Sequence, residues 1–281
     1  MQRRREGVHV LGPVDVPDAL HCLEQQRVVN VFAEYRTRLT RLDPQWLGGE
    51  AWGWYVDGEL RSMCHVAANL VPVNCDADAA AAFAERAART RATTATLVGP
   101  RSAVETMWHV LASAWDDPRD QRWDQPHLQI SGTPEVAPDP RVRRTEPAEL
   151  DVVYPACVAM YTEEVGVSPE VGGGGALYRT RVRQLVSRGW SFSRIDDGRV
   201  VFKAEVACAT PAAAQIQGVY VDPSRRGEGI AAAGMAAVVE TVLAEIAPTA
   251  SLYVNAHNVA ARKAYARCGF EQSETFSTLM F

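Results

Sequence analysis

The chain has 281 residues, of which 47% are hydrophobic and 22% are charged, and its formal net charge is −5. This length exceeds that of an average domain and predicts two domains, each with its own hydrophobic core. The composition excludes a disordered chain, and the acidic balance excludes a general attraction to nucleic acid. The sequence has no run of about twenty apolar residues, so we expect no membrane span.

Six scattered cysteines lack paired spacing, and the first residues lack the apolar core of a signal peptide, so we expect a cytoplasmic protein. Lysine occurs only at Lys203 and Lys263 while arginine is abundant, which is typical of a GC-rich bacterial genome. No group of His, Cys and acidic residues has the spacing of a metal site, and no metal is expected.

Periodicity and turn signals predict alternating strands and helices in the first half of the chain. The predicted elements are, in order, a strand at 8–11, helices at 16–27 and 31–42, strands at 52–56, 60–67 and 70–73, a helix at 78–91, a strand at 96–98 and a helix at 102–115. Asp57-Gly58 is a hairpin signal between the strands at 52–56 and 60–67.

A proline-rich linker at 132–147 separates the halves, and we place the domain boundary at Pro138, giving domains 1–137 and 138–281. The second half predicts, in order, a strand at 142, helices at 148–164 and 177–188, strands at 190–196, 200–208 and 215–221, a helix at 230–246, a strand at 251–254, a helix at 259–267 and a final strand to 281. Its order repeats that of the first half, which indicates a tandem duplication.

The segment from Gly218 to Ala231 carries the most informative pattern, a strand that turns into a helix rich in small residues. Gly227 and Gly229 allow a tight turn and a close approach of the backbone to a ligand. The free N–H groups and the dipole of the following helix favour a diphosphate, and Arg226 adds a positive charge. The pattern therefore predicts an anion-binding loop.

A second pattern lies downstream, where Asn258, Ala261 and Tyr265 are spaced by three and four residues on one predicted helix. This spacing places the three side chains on one helix face, where a single ligand can contact them all.

The two patterns together resemble the motifs of the GCN5-related N-acetyltransferase (GNAT) superfamily. Residues 226–231 match its R-x-x-G-x-G/A loop, and residues 258–270 match its N-x-x-A-x-x-x-Y-x-x-x-G-F segment. The resemblance covers 141–281 and implies an α/β fold of tandem GNAT-like lobes, each a mixed, mostly antiparallel sheet flanked by helices. After Val73 the first half has neither glycine nor arginine, so we expect a degenerate lobe that is inert toward CoA.

The resemblance implies that acetyl-CoA is a co-substrate whose pantetheine arm enters between two splayed parallel strands. The residues implied to hold it are Val219, Tyr220, Val221, Arg226, Gly227, Glu228, Gly229, Ile230, Ala231, Asn258 and Ala261. Amides near Val219 and Tyr220 would polarise the thioester carbonyl. Tyr265 would be the general acid for the departing thiolate, and the alternative is a half-buried packing aromatic.

Glu205 is the candidate general base, because an amine must lose a proton before it attacks. Strand alternation places Lys203 and Glu205 on one face of a strand expected to be covered on both sides. An ion pair between the two residues is an equally good interpretation. Glu163 and Glu164 end a helix that commonly lines the acceptor site in such proteins, and they are either recognition groups for a cation or a solvated helix end.

The sequence therefore predicts a transferase that moves acetyl from acetyl-CoA directly to a primary amine, an N-acetyltransferase. The acceptor would be a small-molecule amine, an amino acid or a peptide, with neither nucleic acid nor membrane as a partner. A CoA-binding sensor or scaffold without catalysis is the alternative, and the oligomeric state is not predicted.

Overall fold

The computed structural model describes residues 6–90 and 94–281 and shows a mixed α/β protein. The elements of the first half are β1 (Gly7–Leu11), α1 (Val16–Leu23), α2 (Val31–Thr40), α3 (Pro44–Leu47), β2 (Glu50–Val56), β3 (Glu59–Val66), β4 (Asn69–Val73), α4 (Ala77–Thr90), β5 (Thr96–Pro100), α5 (Arg101–Leu111) and β6 (Asp120–Ile130). Those of the second half are β7 (Arg143–Arg144), α6 (Leu150–Val165), α7 (Gly175–Ser187), β8 (Ser191–Asp196), β9 (Arg199–Ala209), β10 (Ala214–Val221), α8 (Ile230–Glu245), β11 (Ala250–Tyr253), α9 (Val259–Cys268) and β12 (Glu271–Met280).

The chain divides into two compact units. The first comprises Met1–His127, Tyr253–His257 and Gln272–Phe281, and the second comprises Leu128–Leu252 and Asn258–Glu271. The domain boundary at residue 138 stays a prediction. Arg91, the last residue of the helix predicted at 78–91, lies outside the described residues.

The first unit contains a mostly antiparallel sheet in which β1, β2, β3 and β4 follow one another and β5 runs parallel to β4. Residues of β12 from Phe276 to Met280 pair with β5 in the antiparallel sense. Helices α4 and α5 cover one hydrophobic cluster, which includes Trp52, Phe83 and Leu279. Burial of such large apolar side chains supplies most of the stabilisation of this unit.

The second unit contains the strands β7, β8, β9, β10 and β11 in that order across the sheet. Every neighbouring pair is antiparallel except β10 and β11, which are parallel. Helix α8 packs closely on β9, because a Cβ on Gly234 would lie only 2.7 Å from the Phe202 ring. A small residue there lets the helix axis approach the sheet, which positions the N-terminal end of α8 beside β10.

The predicted fold class is confirmed, since both sheets are mixed, mostly antiparallel and flanked by helices. Both hairpin signals form turns with positive φ at two successive residues, Asp57-Gly58 at 53° and 82° and Asp197-Gly198 at 49° and 74°. Within the described ranges, no helix combines the length and the hydrophobicity that a membrane crossing requires.

Candidate active site

The two parallel strands of the second unit part from each other before they end. Strand β10 pairs with β11 only at Ala214 and Gln215, which face Ala250 and Ser251. Strand β10 nevertheless continues to Val221. The backbone groups on the β11 side of this extension are available to a ligand that adopts an extended conformation, as an added strand does.

A β-bulge lies in the same part of β10. Gln217 faces Glu205, whereas Tyr220 faces Lys203, so that two residues of β10 stand opposite one residue of β9. Gly218 has a φ of +62°, a conformation that side chains other than glycine rarely adopt. Because a bulge disturbs the regular hydrogen-bond ladder, it redirects backbone amides at this point of the strand.

The glycine loop begins one turn after β10. Gly227 and Gly229 have φ values of +87° and +81°, and a Cβ at either position would meet no atom within 4 Å. Gly229 is the N-cap of α8, a helix of 16 residues, and provides no side-chain hydrogen bond to the first amides of the helix. This combination fits a diphosphate group, because free N–H groups and the positive end of the helix dipole converge there.

Arg226, expected to contact the diphosphate, is held by a carboxylate of α6. Its Nη1 and Nη2 atoms donate to Glu163 Oε1 and Oε2 at 2.9 and 2.7 Å, and its Nε donates to the Val221 carbonyl at 3.2 Å. The hydrogen bonds from Arg226 lower the pKa of the Glu163 carboxyl, which is therefore ionised at neutral pH. Glu163 thus occupies the donor groups that an incoming phosphate would use.

We expect Glu163→Gln to bind CoA more tightly than the unchanged protein. An exposed ion pair is worth at most about 1 kcal/mol, so the gain should reach about threefold to fivefold. Isothermal titration calorimetry with CoA measures it. Glu240→Gln removes the same charge from the exposed side of α8 and is the control, with no expected change. Weaker binding by Glu163→Gln would show that Glu163 supports Arg226 rather than competing for it.

Helix α9 presents the second motif. Asn258 is its N-cap and accepts a hydrogen bond from the Ala261 amide through Oδ1 at 3.1 Å. Tyr265 is 6% exposed and packs against the Phe270 ring, with ring centroids 5.9 Å apart. Burial and the nearby negative charge of Glu164 raise the pKa of Tyr265, so its hydroxyl stays protonated at neutral pH.

Glu205 and Lys203 form the buried ion pair that strand alternation allows, with Nζ and Oε1 2.8 Å apart. Glu205 Oε2 accepts a hydrogen bond from Gln217 at 3.4 Å, and Oε1 accepts one from the Cys157 thiol at 3.5 Å. A Cβ on Gly218 would lie 3.1 Å from Glu205 Oε2. The carboxylate therefore lies directly against the bulge.

The structure brings most predicted residues to one end of the second unit, on β10, the loop and α8. Glu228 is engaged by Arg225, with Nη2 and Oε2 2.7 Å apart, so only its backbone is available to a phosphate. Ile230 and Ala231 form the first turn of α8. In the part of the chain that the structure describes, no hydrogen bond or ion pair joins Tyr265 to Glu205.

Comparison with known protein families identifies the domain that carries this geometry. Residues 189–270, which contain the parted strands, the glycine loop and α9, match the acetyltransferase (GNAT) family. Residues 189–270 form a GNAT-family domain. Residues 49–153 match a domain of unknown function, DUF4081. No curated protein matches the chain.

Solved GNAT structures share the fold over nearly the whole chain. An acetyltransferase from Colwellia psychrerythraea is 16% identical, with 98% of this chain and 99% of that chain covered and a TM-score of 0.55. An N-acetyltransferase from Sphaerobacter thermophilus is 17% identical, with 97% and 95% covered and a TM-score of 0.60. A tandem GNAT protein from the clavulanic acid biosynthesis pathway is 14% identical, with 98% of each chain covered and a TM-score of 0.54. The fold is therefore that of tandem GNAT proteins, a fold that supports acyl-CoA-dependent acetyl transfer.

The first unit has the GNAT strand order but a different chemistry at the corresponding place. Asp76 accepts a hydrogen bond from the Ala79 amide at 2.8 Å, so a carboxylate already caps α4. Pro72 of β4 has no N–H to offer an inserted ligand, and its ring would lie 3.2 Å from a Cβ on Gly99. These features disfavour a diphosphate and an extended arm in the first unit.

Two features of the second unit were not predicted from the sequence. Glu163 and Arg226 are far apart in the chain, and no local sequence pattern predicts that they pair. The bulge at Gly218 does have a local signal, because an isolated glycine inside a strand pattern indicates a bulge or a close backbone approach. No group of His, Cys, Asp and Glu that could hold a metal occurs among residues 6–90 and 94–281.

Proposed function

We propose that the protein is an acetyl-CoA-dependent N-acetyltransferase in which the second unit binds the donor and transfers acetyl directly to a primary amine. The observation that carries the proposal is the coincidence of three features along one path. The strands part after Gln215, β10 bulges at Gly218, and the uncapped N-terminus of α8 follows at Gly229. An extended thioester with a diphosphate at one end is complementary to this path.

The residues of the domain would divide the reaction among them, with acetyl-CoA supplying an activated acetyl thioester. Amides of Val219 and Tyr220, next to the bulge, would stabilise negative charge on the carbonyl oxygen. Glu205 would accept the proton of the amine, and Tyr265 would protonate the leaving thiolate. The hydroxyl of Tyr265 carries its proton at neutral pH, as a general acid must, while its raised pKa makes it a weaker acid than a free tyrosine.

Direct attack by the amine is supported by the protonation state of Cys157, the thiol that contacts Glu205. Cys157 is fully buried, and burial together with the charge of Glu205 raises its pKa to about 12, despite the opposing effect of Lys203. A thiol with so little thiolate at neutral pH is a poor nucleophile. A covalent acetyl-cysteine intermediate is therefore disfavoured.

The acceptor we propose is a cationic small-molecule amine, an amino acid or a peptide. Glu163 and Glu164 end α6, with Glu163 reaching the glycine loop and Glu164 acting electrostatically on Tyr265. Because Arg226 already pairs with Glu163, it is the negative charge of Glu164 that favours a positively charged acceptor. The reducing cytoplasm is the proposed location, in agreement with six free cysteines.

Calorimetric titration with acetyl-CoA, followed by a free-thiol assay with a panel of amines, tests the proposal. We expect one molecule of acetyl-CoA per chain, because Asp76 and Pro72 disfavour a site in the first unit. Release of CoA should require both acetyl-CoA and an amine. Binding without CoA release from any amine would favour a sensor or scaffold, and absence of binding would overturn the proposal altogether.

A further inference from the structure

A charged pair lies buried beneath the bulge of β10. Lys203 is 0% exposed and Glu205 is 4% exposed, and both project from β9 toward α6. Buried ion pairs are weak devices for stability, because hydrophobic residues of similar volume often serve as well or better. The position of this pair therefore calls for another explanation.

The ammonium group of Lys203 forms a hydrogen bond with the backbone at the bulge. Its Nζ donates to the Gly218 carbonyl oxygen at 3.0 Å while it pairs with Glu205 Oε1 at 2.8 Å. The left-handed φ of +62° at Gly218 brings this carbonyl toward the lysine, and a Cβ on Gly218 would lie 3.2 Å from Nζ. The glycine, the lysine and the carboxylate thus form one compact group.

Holding this carbonyl also fixes the next amide. The carbonyl of Gly218 and the N–H of Val219 belong to one planar peptide unit and point in opposite directions. A donor fixed on the oxygen therefore aims the Val219 N–H away from Lys203. Without that donor, the peptide plane at a glycine is free to rotate, because glycine accepts many backbone conformations.

The lysine carries its charge despite its burial. Burial alone would lower the pKa of Lys203, but the negative charge and hydrogen bond of Glu205 outweigh it, and the pKa is raised. The group is therefore an ammonium throughout the neutral range. An ammonium is a stronger hydrogen-bond donor to a carbonyl than a neutral amine.

We propose that Lys203 is a positioning residue that locks the Gly218 peptide so that the Val219 amide is directed at the acyl carbonyl of the bound donor. The proposal rests on the proposed function. Glu205 contributes by keeping Lys203 charged and in place, in addition to its proposed role as base.

The test compares Glu205→Gln with the double variant Lys203→Met, Glu205→Gln. The proposed base is absent from both proteins, so its loss does not contribute to their difference. Glu205→Gln keeps Lys203 as a donor to the Gly218 carbonyl but removes its carboxylate partner, whereas the double variant removes the donor and the buried charge together. The difference between the two variants therefore reports the loss of the lysine anchor. Cys157→Ala alters the same cluster without touching the Gly218 carbonyl and serves as the control. Thermal unfolding establishes that each variant is folded.

The first measurement is the affinity for acetyl-CoA relative to that for CoA. One lost hydrogen bond to the acyl carbonyl should reduce the relative affinity of the double variant about fivefold, while its affinity for CoA stays unchanged. The second measurement is kcat, which should be about 100-fold lower in the double variant than in Glu205→Gln. A misdirected Val219 amide would no longer stabilise the negative charge that develops on the carbonyl oxygen in the transition state. Cys157→Ala should keep both values.

Equal kcat and equal relative affinity in Glu205→Gln and the double variant would overturn the positioning role. Equal loss of affinity for CoA and acetyl-CoA in a folded double variant would overturn it as well, because the lysine would then support the whole site. If the unchanged protein bound no acyl-CoA, the proposed function would fail first, and the two failures are distinguishable.

Discussion

Replacing Gly229 by aspartate is expected to abolish CoA binding while leaving the fold intact. Gly229 is the N-cap of α8 with a φ of +81°, and a Cβ there would meet no atom within 4 Å. The expected loss of CoA binding is therefore not caused by a steric conflict between the new side chain and the protein. The added carboxylate would stand where the diphosphate is expected, and it would satisfy the helix amides in its place, as Asp76 does in the first unit.

The effect should be large because hydrogen bonds to a charged group are individually strong. Loss of two such bonds at about 1.5 kcal/mol each weakens binding at least 100-fold. Calorimetry with CoA measures the change directly. Gly229→Ala separates the effect of the added charge from that of backbone strain. Alanine adds the strain without the charge, so this variant should weaken binding much less.

Gly198→Asp is the matched control. Gly198 also has a positive φ, +74°, and open space around a Cβ, but it lies in the hairpin between β8 and β9. The Gly198→Asp variant should be somewhat less stable than the unchanged protein and should retain its affinity for CoA. Unchanged CoA affinity in folded Gly229→Asp would contradict the assignment of the donor site to the start of α8.

The second large effect is expected for Tyr265→Phe. General acid catalysis contributes about 100-fold to 10,000-fold, so kcat should fall within that range while the affinity for acetyl-CoA is retained. Phenylalanine preserves the contact with the Phe270 ring, and the fold should therefore persist. Steady-state kinetics with an acceptor found in the amine panel would provide kcat, and calorimetry the affinity.

The pH dependence gives an independent check on Tyr265. Burial raises its pKa above the ordinary value of 10.0, so the acid form persists at higher pH than in a free tyrosine. Ionisation of Tyr265 should therefore cause no fall in kcat up to pH 10.0. Tyr154→Phe is the control, because that hydroxyl instead donates to Glu170 at 3.0 Å. Unchanged kcat in Tyr265→Phe would leave Tyr265 as a packing residue.

Local patterns were sufficient for most of the helices and strands. Asp57-Gly58 and Asp197-Gly198 form turns because these residue types tolerate the left-handed conformation at low cost, whatever surrounds them. Strand alternation likewise placed Lys203 and Glu205 on one face, and the structure confirms their ion pair. The roles assigned to Glu205 and Tyr265 remain predictions.

Contacts between residues that are distant in the chain could not be predicted from local sequence patterns. Arg226 was expected to offer its guanidinium to a phosphate, yet it is bound by Glu163, and only folding brings α6 to the glycine loop. The strand β6 was missed because its polar residues lack clear alternation, and its buried Gln125 and His127 do not look like core positions. In each case tertiary packing decided a feature that local propensity leaves open.

The pairing of β12 with β5 has a consequence for biosynthesis. Ribosomes synthesise a chain from the N-terminus, and N-terminal domains generally fold during synthesis. Here the strand beside β5 is drawn from Phe276–Met280, and Phe281 packs on Trp108 and Trp115. In the nascent first unit, the edge of β5 that β12 covers therefore stays unpaired until those residues have been synthesised, and an unpaired strand edge is a site for aggregation.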